Sequence, residues 1–141
     1  MTKPACGSEW WSTPRRLLPS CWENPTRSGS HALADVPVCL LSAVNRVELF
    51  CVIEGCKGEN DRRDVELLLR DGGFDIVSVT PQQAEIAVDA FRRFGRGRHR
   101  ARLNIGDCFA YALAIATDHT LLFKGDDFIH TDIRPALQAA M

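Results

Sequence analysis

From Asp35 onward the sequence alternates short apolar runs with longer stretches of helical period, a pattern that points to an α/β sandwich. Val36 to Ser42 (VPVCLLS) has the length of a buried strand. Val44 to Glu54 follows with Val44, Val47, Phe50 and Cys51 at helical spacing, and Gly55 ends it. Glu59 to Arg70 is a charged helix that turns Val65, Leu68 and Leu69 inward and closes at Gly72 and Gly73. Phe74 to Val79 (FDIVSV) alternates as a strand does. Thr80 before Pro81 is an N-cap followed by proline at the first helical position. The helix that starts there runs through Ala84, Ala87, Val88 and Phe91 to about Phe94. Gly95 to Arg102 is a basic loop, and Gly106 to Thr117 is a helix with Phe109, Ala112, Leu113 and Ala116 on one face. Thr120 to Lys124 (TLLFK) is a buried strand that runs into Gly125, Asp126 and Asp127. Strands separated by helices imply a mainly parallel sheet, and in such sheets sites form at the carboxyl ends of strands. Asp126 and Asp127 occupy such an end.

Residues 1–34 are of another kind. They hold four of the seven prolines, all three tryptophans and two of the six cysteines, and keep no helical or strand period. They read as a poorly ordered leader ahead of one domain, residues 35–141, and the total of 141 residues leaves no room for a second of ordinary size. A hydrophobic share of 45% excludes a disordered chain, and a net charge of −1 excludes a general nucleic-acid coat protein. Cys6, Cys21, Cys39, Cys51, Cys56 and Cys108 form no CxxC pair and no zinc spacing. Cys39, Cys51 and Cys108 lie in apolar runs, so the thiols are expected to be reduced and to act as small buried hydrophobes. No signal peptide and no apolar stretch near the roughly 20 residues of a membrane span is present, so the expectation is a cytoplasmic protein.

Acidic residues stand in apolar context at three places. Glu48 lies mid-helix beside Leu49 and Phe50, Asp107 opens the helix GDCFAYALA, and Asp126 and Asp127 follow TLLFK. Spacing alone leaves two readings open. Asp107 serves as an N-cap, Glu48 as a solvated helix residue and the two C-terminal aspartates as turn formers; or the acids converge on a divalent metal. Clustered carboxylates repel one another and are stable chiefly around an ion such as Mg²⁺ or Mn²⁺, which activates water for phosphodiester cleavage. Arg96, Arg98, His99, Arg100 and Arg102 make the densest basic segment, either a solvated loop or a phosphate-binding rim. His119 and His130 are given no role in that chemistry.

The strings VELFCVIEG, AFRRFGRGRHRARLN, LNIGDCFAYALA and LLFKGDDFIHTDI, in this order over residues 35–134, resemble PIN-domain ribonucleases of the VapC type. The resemblance implies an α/β/α sandwich and a Mg²⁺-dependent endoribonuclease (Mn²⁺ as the substitute) in which four acidic side chains hold the metal. By position Glu48 matches the second acid and Asp107 the third, while Asp126 or Asp127 supplies the fourth. Arg96, Arg98, Arg100 and Arg102 become candidates for RNA contact. The resemblance further implies a toxin of a toxin–antitoxin pair, with a VapB-type antitoxin and RNA as partners and a homodimer as the assembly. A non-catalytic protein that still binds the antitoxin is the alternative.

The family opens on a central strand ending in D-T-S-A, whose aspartate is the first metal ligand, and residues 1–34 contain no match. Only Glu9 and Asp35 offer plausible acidic stand-ins in or beside this stretch, and neither follows an apolar strand. The expected sheet therefore has its first strand missing or degenerate. Codons permitted for Trp10 to His31 can nevertheless be chosen so that the frame starting at the third base of the first codon reads VVDTSALVAVLLGEPDAERFA. The first base of each shifted codon is a free choice in places, but the other two are mostly fixed by the residues present. The leader is thus expected to be an out-of-frame reading, with the family frame regained near Ala32 to Asp35. Sequencing the DNA for residues 1–40 decides this: codons that cannot encode the shifted D-T-S-A rule it out.

Overall fold

A computed structural model describes residues 39–56, 59–71, 74–121, 123 and 126–135. The order is β1 (Cys39–Ser42), α1 (Ala43–Cys56), α2 (Glu59–Asp71), β2 (Phe74–Val77), α3 (Pro81–Phe94), α4 (Ile105–Thr117) and a 3-10 turn at Phe128–His130. β1 and β2 pair in parallel with Cys39 opposite Phe74 and Ser42 opposite Val77. Parallel neighbours need a crossover, and α1 and α2 supply it. The chain is mixed α/β with a parallel sheet, as expected. Leu121 and Pro135 form a further parallel bridge. Val36 to Val38, the closing Gly72 and Gly73, Leu122, Lys124, Gly125 and the whole of residues 1–34 lie outside the described residues. Among the described residues, no helix is long and apolar enough to cross a membrane.

Two apolar clusters form the interior. Leu41, Leu49, Ile53, Val65 and Leu69 gather β1, α1 and α2 into one, with Phe74 packed against it. Ala87, Ala90 and Phe94 of α3 meet Cys108, Ala110, Tyr111, Ala112 and Ala114 of α4 in the other, closed by Leu121, Phe128 and Ile133. Small side chains at Ala90 and Ala112, both fully buried, let α3 and α4 approach closely. Val65 and Leu69 of α2 are inward as expected, while the side chain of Leu68 lies outside the described residues.

The expected inner faces of two helices are corrected. In α1, Val47 is 61% exposed and Phe50 41%, and Cys51 is exposed as well. The buried stripe is Asn45, Leu49, Val52 and Ile53 instead. α1 carries apolar residues all round, so its sequence holds little amphipathic signal to say which stripe is inside. It also runs on through Gly55 to Cys56. In α3 the inward set is Gln83, Ala87, Ala90 and Phe94, leaving Val88 and Phe91 partly in solvent. α4 is buried nearly all round from Gly106 to Ala114, although Ala116 faces solvent.

Local signals fix α3 well. The Thr80 hydroxyl accepts from the Gln83 backbone N–H at 3.1 Å, and Pro81 needs no N–H partner at the start. A clamp of three side chains ties α3, α4 and the C-terminal segment together. The Tyr111 hydroxyl donates to Asp132 Oδ1 at 2.7 Å, and Arg93 donates to Asp132 Oδ2 at 2.7 Å. Burial, then the Asp132 carboxylate, pushes the Tyr111 phenol up to about 12. Burial also raises the Asp132 carboxyl, but the bonds from Tyr111 and Arg93 outweigh it and hold it below its ordinary value. Thr80→Ala is expected to lower stability by about 1 kcal/mol, the ordinary cost of a lost N-cap. Urea titration checks this, and an unchanged midpoint would show that Pro81 alone sets the start of α3.

Candidate active site

Glu48 stands one turn after Asn45 on α1, in the part of that helix that faces α4. Its carboxylate rests on the α-carbon of Gly106: a Cβ there would collide with both Glu48 carboxylate oxygens. No other residue type leaves that space. Asn45 is 2% exposed and uses its side-chain amide twice, donating to Gly106 O at 3.0 Å and to Glu48 Oε2 at 3.3 Å. The contact joins positions far apart in the chain at the junction of the two apolar clusters.

The next residue along α4 is Asp107, 1% exposed. The N-cap role was one of the two readings left open for it, and the cap is Asn104, with Asp107 three residues further on. Asn104 Oδ1 accepts from the Asp107 N–H at 2.9 Å, while Asp107 Oδ2 accepts from the Asn104 N–H at 3.0 Å. This reciprocal capping box pins the Asp107 side chain at the helix N-terminus, where the backbone dipoles favour negative charge. Burial pushes the Glu48 carboxyl up to about 7, with the Asp107 charge adding to the rise and the Asn45 hydrogen bond opposing it. Since the Glu48 carboxylate rests on Gly106, the residue before Asp107, two acidic side chains share one junction, one half-buried and one buried. Cys108 beside them is buried, and burial followed by the Asp107 charge pushes its thiol up to about 12, which leaves it unreactive.

The remaining candidates sit nearer the surface. Asp126 is exposed and Asp127 half-buried, just before the turn at Phe128–His130. Phe128 is buried against Phe123, with ring centroids 5.2 Å apart, and anchors that turn. Among the described residues, no three acidic, histidine or cysteine side chains gather closely enough to hold a metal. The pair Glu48–Asp107 is what the fold assembles. As hard oxygen donors that repel each other, the two carboxylates fit an ion such as Mg²⁺ or Mn²⁺.

Arg96, Arg98, Arg100 and Arg102 are all exposed on a firmly built loop. Its ends are joined by Arg96 N–H to Leu103 O and Leu103 N–H to Phe94 O, both at 3.0 Å. His99 packs edge-on against Phe94 and its Nδ1 accepts from the Ala101 N–H, so this histidine holds the loop's shape. Arg98 lies 5.7 Å from the centre of the Phe91 ring. Asn45 and Gly106 were not singled out from sequence. The available signal was a polar residue on the same helical stripe as Leu49, Val52 and Ile53, one turn before Glu48.

The PIN domain family profile matches residues 27–134 of the chain. The chain belongs to the PIN-domain family. Among its relatives is the VapC ribonuclease Mb2780c of Mycobacterium bovis, 47% identical over 106 residues, which cover 74% of this chain and 81% of that protein. Ribonuclease VapC30 of Mycobacterium tuberculosis is 48% identical over 94 residues, covering 67% of this chain and 72% of the relative. Ribonuclease VapC of Mycolicibacterium smegmatis is 46% identical over 102 residues, covering 72% and 79%. The expected membership is thus met: this is a VapC-type PIN domain.

In this PIN domain, Gly106→Ala is expected to displace the Glu48 carboxylate while sparing the fold. The colliding atoms end a flexible side chain, and alanine is the better helix former, so stability should change by less than about 1 kcal/mol. Binding of Mn²⁺, followed by electron paramagnetic resonance, should weaken about tenfold, the low end of the range seen when groups around a metal are altered. An unchanged affinity beside an unchanged melting curve would show that the carboxylate's seat on Gly106 does not matter to the ion.

Proposed function

We propose that the chain is a toxin-type endoribonuclease of a VapBC system, dependent on Mg²⁺ or Mn²⁺. The observation that carries this reading is the Glu48 carboxylate seated on Gly106 beside buried Asp107. The relatives named as VapC ribonucleases support it. Glu48, Asp107 and one of Asp126 and Asp127 would hold the ion, which when bound polarises the phosphodiester and lowers the pKa of an attacking water. Asp107 keeps its place through the capping box, and Glu48 through Asn45 and Gly106. Arg96, Arg98, Arg100 and Arg102 stand on a rigid loop as phosphate contacts for the RNA strand. A VapB-type antitoxin, a homodimeric assembly and a cytoplasmic location complete the proposal.

The chain as written carries no D-T-S-A aspartate, so it supplies three of the family's four acids. Weak metal binding and slow cleavage follow, and a protein that binds its antitoxin without cutting RNA is the second reading. The test uses labelled RNA with Mg²⁺ or Mn²⁺ and a chelator control, on this chain and on one with the D-T-S-A frame restored. The restored chain should cut RNA, and Asp107→Asn should reduce its rate at least about a hundredfold, the scale of losing one electrostatic stabiliser of the reacting centre. Robust cleavage by the present chain would overturn the inactivity, and no cleavage by the restored chain would favour the binding protein.

A further inference from the structure

Glu48 is half-buried and its carboxylate rests on Gly106, the residue before Asp107, so it has a route toward water and a like-charged neighbour that favours its leaving. Two features oppose that movement. Gly106 leaves a seat without a Cβ, and Asn45 stands behind the carboxylate with a hydrogen bond to Oε2. The same amide nitrogen also donates to the carbonyl of Gly106, 61 positions away, so it fixes the carboxylate relative to α4 itself.

We propose that Asn45 is a positioning residue for the acid pair, holding the Glu48 carboxylate against the N-terminus of α4 so that it and Asp107 face one divalent ion. The inference rests on the reading of Glu48 and Asp107 as metal ligands. An amide suits this place because it donates a hydrogen bond without adding charge. A lysine or arginine there would neutralise the carboxylate and compete with the cation, and an aspartate would repel it. Burial makes the contact more consequential, since a lost bond at a 2% exposed side chain is not replaced by water at full strength. Asn45 touches no reacting atom in this arrangement and acts through Glu48 alone.

The experiment is a double-mutant cycle on the full chain, read as Mn²⁺ affinity by electron paramagnetic resonance, with no RNA present. Asn45→Ala should weaken binding about tenfold, the usual loss when a ligand's supporting partner is removed, and Glu48→Gln, which alters the ligand itself, at least as much. The double variant should bind within about twofold of Glu48→Gln, because Asn45 has nothing left to position. Losses that multiply in the double variant would show that Asn45 only braces the fold through Gly106, and the proposal would fall. An Asn45→Ala protein with undiminished affinity would overturn it as well. If Glu48→Gln itself leaves Mn²⁺ binding unchanged, the ligand reading fails first and takes this one with it. Should Asn45→Ala melt below the working temperature, Asn45→Ser takes its place in the cycle. It keeps a small neutral donor and is expected to lose less affinity than alanine, and a loss equal to that of Glu48→Gln in both backgrounds would count against the proposal.

Discussion

Two carboxyl groups held together in a poorly hydrated place are the constraint around which the described structure is arranged. Left alone, Glu48 and Asp107 would separate. They stay close because α1 and α4 meet where α4 has a glycine and α1 has an asparagine, and because a capping box fixes Asp107 from its own helix. Each part has a separate physical cause. Gly106 provides room, Asn45 provides direction, and Asn104 provides a hydrogen-bond partner for the aspartate.

That junction is only as rigid as α4, and α4 is buried on almost every side. Its small residues admit α3 from one direction, and the polar clamp of Arg93, Tyr111 and Asp132 ties it to the C-terminal segment. The clamp lies partly in solvent, so its ion pair adds little by itself, and its worth lies in fixing geometry beside the apolar contacts. From the other direction, Leu49 and Ile53 dock α1 into the cluster with β1 and α2. The acid pair thus sits where two separately packed units join, a place where a small shift of either changes the separation of the charges.

Elements announced by local chemistry were legible in the sequence. Thr80 with Pro81 marked the start of α3, and Phe94 followed by Gly95 marked its end, because capping and proline geometry involve residues only a few positions apart. Val65 and Leu69 were placed inward correctly since α2 is strongly charged on its other faces. The inner stripe of α1 was not legible. Val47, Phe50 and Cys51 are as apolar as Leu49, Val52 and Ile53, so the pattern gave two answers. The outward Val88 and Phe91 of α3 arise in the same way: Ala87 and Ala90 take the middle of the inner face, where small side chains let α3 and α4 approach closely, between the larger Gln83 and Phe94.

By itself the sequence determined the order of β1, β2 and the four described helices, and the family, because these reside in short-range periodicity and in ordered strings of residues. Tertiary structure alone decided that Asn45 faces inward and that Gly106 is a seat for a carboxylate. The physical reason is distance along the chain. Asn45 and Gly106 are separated by 61 positions, and neither helical period nor capping preference carries information across such an interval; only the packing of α1 against α4 does.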